Sequence, residues 1–354
     1  MAIESDTGLP RIALAMGDPC GISPELTARL VNDAATRAAA RYIVIGDRRV
    51  LTMGERHAGV QLDLSIVDTE ADAIAANDTV FWDLGHLDPG NIELGQISHA
   101  GGRSALTNFD TAIEFARRET VDAVCFTPFN KAAMRLAHPS YEDEIVYLSE
   151  VLSFEGKASE FNILDGLWNA RVTSHVPLAK VASLLTKDVI VENLELAHQS
   201  LIAAGISEPR IGVAALNPHA GDNGNFGREE IDVIEPAVAE GKSRGLGCDG
   251  PYPSDTVFVR ARNGQFDAVL TMYHDQGQIA MKLMGFDSGV TMLGGFPFPV
   301  CTPAHGTAYD IAGKGIANLG ASRNALLLAA RMARVSNDAA NSGGPAKERA
   351  DAVS

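Results

Sequence analysis

Basic residues are the scarce class in this chain: 29 Lys and Arg stand against 45 Asp and Glu in 354 residues, a formal net charge of -16. Nucleic acids need a basic surface, so a nucleic-acid partner is not expected. Cysteine is scarcer still. Cys20, Cys125, Cys248 and Cys301 are dispersed and form no C-x-x-C pair, which argues against a zinc ribbon, a thiol redox centre or a disulfide framework and leaves reduced thiols in a cytoplasm as the expectation. No apolar run reaches the ~18 residues of a membrane span, and the polar segment Met1 to Pro10 lacks a signal-like core, so no membrane partner is expected. The usual nucleotide motifs are missing too. Gly245 to Gly250 spells GLGCDG, yet it follows a helical stretch and runs into Pro251-Tyr252-Pro253, where a dinucleotide fingerprint needs a strand before it and a helix after it. His305 to Asn318 (HGTAYDIAGKGIAN) has the wrong glycine spacing for a P-loop, and no Ser or Thr follows Lys314.

What is present is an α/β rhythm in a chain with 46% hydrophobic residues, enough for one large or two ordinary domains. Short β-branched runs (Arg11 to Met16, Tyr42 to Gly46, Val121 to Phe126) alternate with alanine- and leucine-rich stretches (Pro24 to Ala40, Thr107 to Arg118, Ile231 to Gly241) that predict helices. The last stretch, Asn337 to Ser354, is rich in Ala, Ser, Gly and charge and reads as a frayed tail.

Three of the nine histidines lie in loop-like surroundings after strand-like runs: His175 in TSHVP, His219 in NPHAG and His274 in MYHDQG. Any one histidine alone is more often a surface or satisfied core residue. Three at the carboxyl ends of strands, where ligands bind in α/β sheets, suggest a divalent metal with an open coordination position.

The segment His305 to Asn318 resembles the cofactor-binding stretch of isocitrate and isopropylmalate dehydrogenases. Together with Met16 to Glu25 (MGDPCGISPE), Thr127 to Lys131 (TPFNK), Asn217 to Gly221 (NPHAG), Gly250 to Thr256 (GPYPSDT) and Tyr273 to Gly277 (YHDQG), it makes the chain resemble the 4-hydroxythreonine-4-phosphate dehydrogenase family from Ile12 to about Leu328. The resemblance implies two α/β/α domains with a cleft between them, as in isopropylmalate dehydrogenase. The boundaries expected are 10–130 plus 290–335 for the first domain, 131–289 for the second, and 336–354 as a tail. It also implies a homodimer with shared active sites that oxidises a small hydroxy acid with NAD or NADP and then decarboxylates it. His175, His219 and His274 carry over as ligands of zinc, magnesium, manganese or cobalt, and His305, Gly306, Thr307, Ala308, Asp310 and Gly313 as the cofactor site. Lys282 matches a substrate-contacting lysine. Asp275 and Asp255 are candidates for orienting the metal ligands or transferring protons, or for capping a helix. Lys131 is a candidate contact of substrate or cofactor, and Asp18 reads as part of a tight turn at the cleft.

The departures concern the far end of the substrate. Where the family has Gly-His-Thr-Glu, this chain reads Tyr141-Glu142-Asp143-Glu144, placing acids Glu142 and Asp143 where a phosphate is otherwise met; Thr291 and Val300 stand for an asparagine and an arginine. Losing a bidentate anion clamp points to an altered substrate. The alternatives are a cis-dihydrodiol carboxylate of the terephthalate type, or 4-phosphohydroxy-L-threonine or a phosphorylated threonate or erythronate. From a different class, a metal-dependent hydrolase or aldolase also uses three histidines, but has no use for the cofactor segment.

Overall fold

A computed structural model describes residues 8–285 and 287–342 of the chain. In chain order the elements are β1 (Arg11–Ala15), α1 (Ser23–Asn32), α2 (Ala34–Ala39), β2 (Arg41–Gly46), α3 (Arg48–Ala58), β3 (Ser65–Val67), α4 (Glu70–Ala75), β4 (Val80–Asp83), α5 (His99–Arg117), β5 (Ala123–Phe126), α6 (Lys131–Ala137) and α7 (Glu144–Leu152). There follow β6 (Ser159–Leu164), β7 (Leu167–Arg171), α8 (Val181–Leu184), α9 (Lys187–Ala203), β8 (Ile211–Ala214), α10 (Glu235–Ser243), β9 (Cys248–Tyr252), α11 (Ser254–Arg262), β10 (Ala268–Thr271), α12 (His274–Met284) and β11 (Val290–Gly294), and finally β12 (Val300–Pro303) and α13 (Gly320–Asn341). The chain is α/β, as its rhythm predicts.

Two compact units emerge, one from residues up to Glu155 together with those from Pro297 onward, the other from Gly156–Phe296. In the first, β3-β4-β2-β1-β5-β12 lie side by side and every pairing is parallel. Strands buried on both faces read as continuous apolar runs, and Ile12, Leu14, Val44 and Val124 are sealed from solvent. In the second, the order is β11-β6-β7-β10-β8-β9, with β6 antiparallel to both β11 and β7 and the rest parallel.

The change of unit falls at Glu155, later than the boundary expected at 130/131. The cause is packing: Tyr147 of α7 stacks on Phe109 and bonds Asp110, both on α5, so α7 stays with the first unit. The tail expected from 336 begins later as well. α13 runs to Asn341, because Ala325, Leu326, Ala329 and Ala333 form a sealed stripe at helical spacing and its last turns continue from that anchored body. The rest of the expected tail, 343–354, lies outside the described residues. The stretch expected as one helix from Pro24 to Ala40 is broken at Asp33, whose side chain caps α2 by accepting from Ala35 and Thr36 amides.

Candidate functional site

In the second unit, β7, β10 and β8 are parallel neighbours, and each carries one of the three histidines beyond its carboxyl end. The ladder between β7 and β10 continues past both strands: Val172 N donates to Thr271 O (2.8 Å) and the Thr173 hydroxyl to Met272 O (2.8 Å). His175 and His274 therefore leave the sheet side by side, with ring centroids 5.6 Å apart. The first turn of α12 is pinned on both sides, since Gln276 accepts from Met272 N (2.7 Å) and donates to Ala215 O at the end of β8 (2.7 Å). The neighbouring carboxylate, Asp275 Oδ1, lies 2.7 Å from His274 Nδ1. Such a bond fixes the ring and leaves Nε2 as the nitrogen for a ligand.

His219 is placed differently. Six consecutive residues, His219 to Gly224, have positive φ and wind residues 218–224 into a left-handed turn. Glu230, buried, braces it by accepting from the amides of Leu216 (2.9 Å) and Asn217 (2.7 Å). Side chains that can bind here stand in a conformation costing roughly 1–2 kcal/mol per non-glycine residue, the kind of strain that clusters at functional sites. The His219 ring packs near Phe226, at 6.2 Å between centroids. Among the described residues no group of three His, Cys, Asp or Glu side chains is gathered closely enough to hold an ion. Two imidazoles, one held by a carboxylate, fit a divalent cation; the third ligand expected does not join them within one chain.

Of the other predicted residues in this unit, Lys282 is exposed on α12, Thr291 is half-buried on β11, and Asp255 is exposed in the first turn of α11 without being its cap.

In the first unit, loops gather at the carboxyl ends of β1, β5 and β12. Gly17 N donates to the Thr127 hydroxyl (2.8 Å), Asp18 N to Pro128 O (3.0 Å) and Ile22 N to Thr307 O (3.0 Å). This joins three of the sequence motifs, the segments around Asp18, Thr127 and Thr307. Asp18 is 1% exposed; its Oδ2 accepts from the Tyr309 hydroxyl (2.5 Å) and its Oδ1 from Cys20 N (2.9 Å). Burial pushes its pKa up, against the lowering pull of those donors, and burial likewise raises the Cys20 thiol to about 11. Tyr309 was not singled out by its sequence, although it stands inside the cofactor segment. His305 is half-buried, Gly306 and Asp310 are exposed, and Thr307 is buried. Ala308 and Gly313 adopt positive φ, 43° and 76°, so the segment is a chain of tight turns.

Other residues expected at the site in the first unit are placed as follows. Val300 is fully buried in β12, in register with Val124, and offers a ligand no surface. Asp143 caps α7 by accepting from Val146 N (2.9 Å), a structural use, while Glu142 is exposed. Lys131 is 3.7 Å from Glu144 as an ion pair. No helix of the described residues is long and apolar enough to cross a membrane.

Comparison with known proteins agrees with this architecture. The pattern of the family described as pyridoxal phosphate biosynthetic protein PdxA matches residues 38–329. A Rhizobium meliloti (strain 1021) protein named "Putative 4-hydroxythreonine-4-phosphate dehydrogenase 2" is 60% identical over 326 residues, covering 92% of this chain and 94% of its own. The D-threonate 4-phosphate dehydrogenase of Cupriavidus necator is 38% identical over 88% of this chain and 93% of its own. Among solved structures, a 4-hydroxythreonine-4-phosphate dehydrogenase from Klebsiella pneumoniae matches with TM-score 0.78 and 33% identity over 92% of this chain and 99% of that one. A terephthalate 1,2-cis-dihydrodiol dehydrogenase from Burkholderia xenovorans LB400 matches with TM-score 0.65 and 27% identity over 91% and 98%.

Proposed function

Because the chain belongs to the PdxA family of dehydrogenases, we propose that it oxidises the hydroxyl of a small β-hydroxy acid, with NAD or NADP as hydride acceptor and loss of carbon dioxide from the keto acid. The observation that carries the reading is the pairing of His175 and His274 at the ends of adjacent parallel strands, with Asp275 on the Nδ1 of His274. The metal-dependent hydrolase or aldolase is set aside by membership of this family.

His175 and His274 would hold the divalent metal with His219 as the third ligand, supplied by the partner protomer if the sites of a homodimer are shared. When bound, the metal acts as a Lewis acid that lowers the pKa of the substrate hydroxyl and stabilises the charge left by decarboxylation. Lys282, on the same helix as His274, supplies a cation for a substrate carboxylate or phosphate. Asp275 keeps the His274 ring in one orientation and Asp255 is a candidate proton carrier. In the first unit the turns from His305 to Gly313 receive the dinucleotide, and the Tyr309 to Asp18 bond fixes their position.

The phosphorylated acids named for several relatives are the first class to try, although the residues expected at the far end of the substrate depart from the family's. Val300 is buried, and the acids Glu142 and Asp143 replace neutral or basic hydrogen-bond donors. The similarity to a dihydrodiol dehydrogenase supports a cyclic diol carboxylate as the second class to try. A panel of phosphorylated four-carbon hydroxy acids and cyclic diol carboxylates, read by NAD(P)H absorbance with and without divalent metal, tests both. Reduction of cofactor in one class and its loss on chelation support the proposal. No reduction with either class, together with no saturable NADH binding by fluorescence, would overturn it.

A further inference from the structure

Beneath the first half of α12 the floor of the second unit is polar, although central strands are ordinarily apolar there. Asn162 of β6 is opposite Asn169 of β7, and continuing that antiparallel register places Glu160 opposite Arg171. Asn162 gathers Glu160 Oε1 (3.0 Å) and the Thr291 hydroxyl (3.3 Å) on its Nδ2, and accepts from Gln278 of α12 on its Oδ1. Arg171 is the anomaly in this layer. It is 3% exposed, Nη2 is 3.1 Å from Glu160 Oε1, and yet neither Nη1 nor Nη2 makes a hydrogen bond. A desolvated guanidinium whose planar fork is left undonated is costly, and such a fork matches the two oxygens of a carboxylate or phosphate. The Glu160 side chain, by contrast, is 30% exposed and makes only a poorly aligned contact with it.

We propose that Arg171 is the specificity-determining cation of the substrate site, receiving a substrate oxyanion that displaces Glu160. The assignment rests on the hydroxy-acid reading above and deepens it. Arg171 ends the strand whose continuation carries His175, and the layer ties it through Glu160 and Asn162 to Thr291 on β11. Glu160 acts as a resident counter-ion that keeps the fork desolvated until substrate arrives.

Calorimetric titration of the full-length, metal-loaded protein with inorganic phosphate and, separately, with succinate tests this without any turnover. Arg171→Gln is expected to weaken the preferred probe by about tenfold or more, and Glu160→Gln to tighten it by about threefold, as one charge-assisted contact is lost or its competitor removed. The histidines are unchanged in both variants, so ratios to wild type cancel binding at the metal. Which probe responds tells phosphate from carboxylate. Unchanged affinities in a folded Arg171→Gln protein overturn the assignment. If that variant fails to fold, Glu160→Gln decides alone, with unchanged or weaker binding as the negative result. Because no cofactor is reduced in this assay, its outcome stays separate from that of the dehydrogenase panel.

Discussion

Asp18 shows how a single carboxyl can tie a loop to its neighbour at a cost that depends on pH. Its pKa is raised in the folded protein because burial disfavours the charge more than the Tyr309 hydroxyl and the Cys20 amide restore it. The sign follows by linkage: the folded state binds the proton more tightly than the unfolded chain, so stability contributed by the protonated form is complete below the ordinary carboxyl range and is lost as pH rises through the raised value. Asp18→Asn removes the charge and keeps an acceptor for Cys20 N. It is expected to raise the thermal midpoint near neutral pH and to give no gain at pH values below the ordinary carboxyl pKa of 3.8; a gain that persists there would refute the assignment. Tyr309→Phe acts on the other member of the bond. A hydrogen bond to a charged group contributes about 1.5–3 kcal/mol, and its loss should loosen residues 305–313 and weaken NADH binding, measured by fluorescence, by about tenfold or more, with metal affinity unchanged.

At the scale of elements, α12 matters most, since it begins at His274 and bears Lys282. Its first half approaches β7 so closely that a Cβ on Gly277 would come within 2.1 Å of Asn169 Oδ1, while its second half packs apolar side chains such as Met281 against Phe258 and Val269. Overpacking of this kind costs about 1–3 kcal/mol, so Gly277→Ala should destabilise by that order in chemical denaturation. Combining it with Asn169→Ala should recover part of the loss, and full additivity of the two changes would show that the contact is not the cause. The approach depends on a hairpin whose signal is present in the sequence: Asp165-Gly166, both with positive φ, joins β6 to β7 as a two-residue turn. A strand-like run before His175 is legible in the sequence, but it is the turn that makes β7, not β6, the strand delivering the histidine. Likewise, the apolar run Ile211 to Leu216 reveals the strand before His219. The left-handed turn that follows is not legible, because Ala220, Asp222 and Asn223 carry no local demand for positive φ, and the braces come from Glu230, far along the chain.

For the whole molecule, strand order decides which of the legible histidines meet. Loop flanks mark all three, but adjacency of β7 and β10 is a non-local pairing that no local pattern encodes, and neither is the packing of α7 that moves the unit boundary beyond residue 130. The geometry divides the histidines into a pair, His175 with His274, and a third, His219. If the chain works as a homodimer whose sites are shared, that division can be read by complementation. His175→Ala, His219→Ala and His274→Ala should each abolish turnover while the folded dimer persists. Mixing and reannealing His219→Ala with His274→Ala gives a heterodimer in which one site takes its pair from the first chain and His219 from the second, and is therefore whole. With random exchange in a two-fold dimer, half the dimers are mixed and each has one good site in two, so about a quarter of wild-type activity should return. A mixture of His175→Ala with His274→Ala breaks the pair in both chains and should stay inactive. Recovery in the second mixture, or none in the first despite demonstrated subunit exchange, would mean that the three ligands are not divided between protomers in this way.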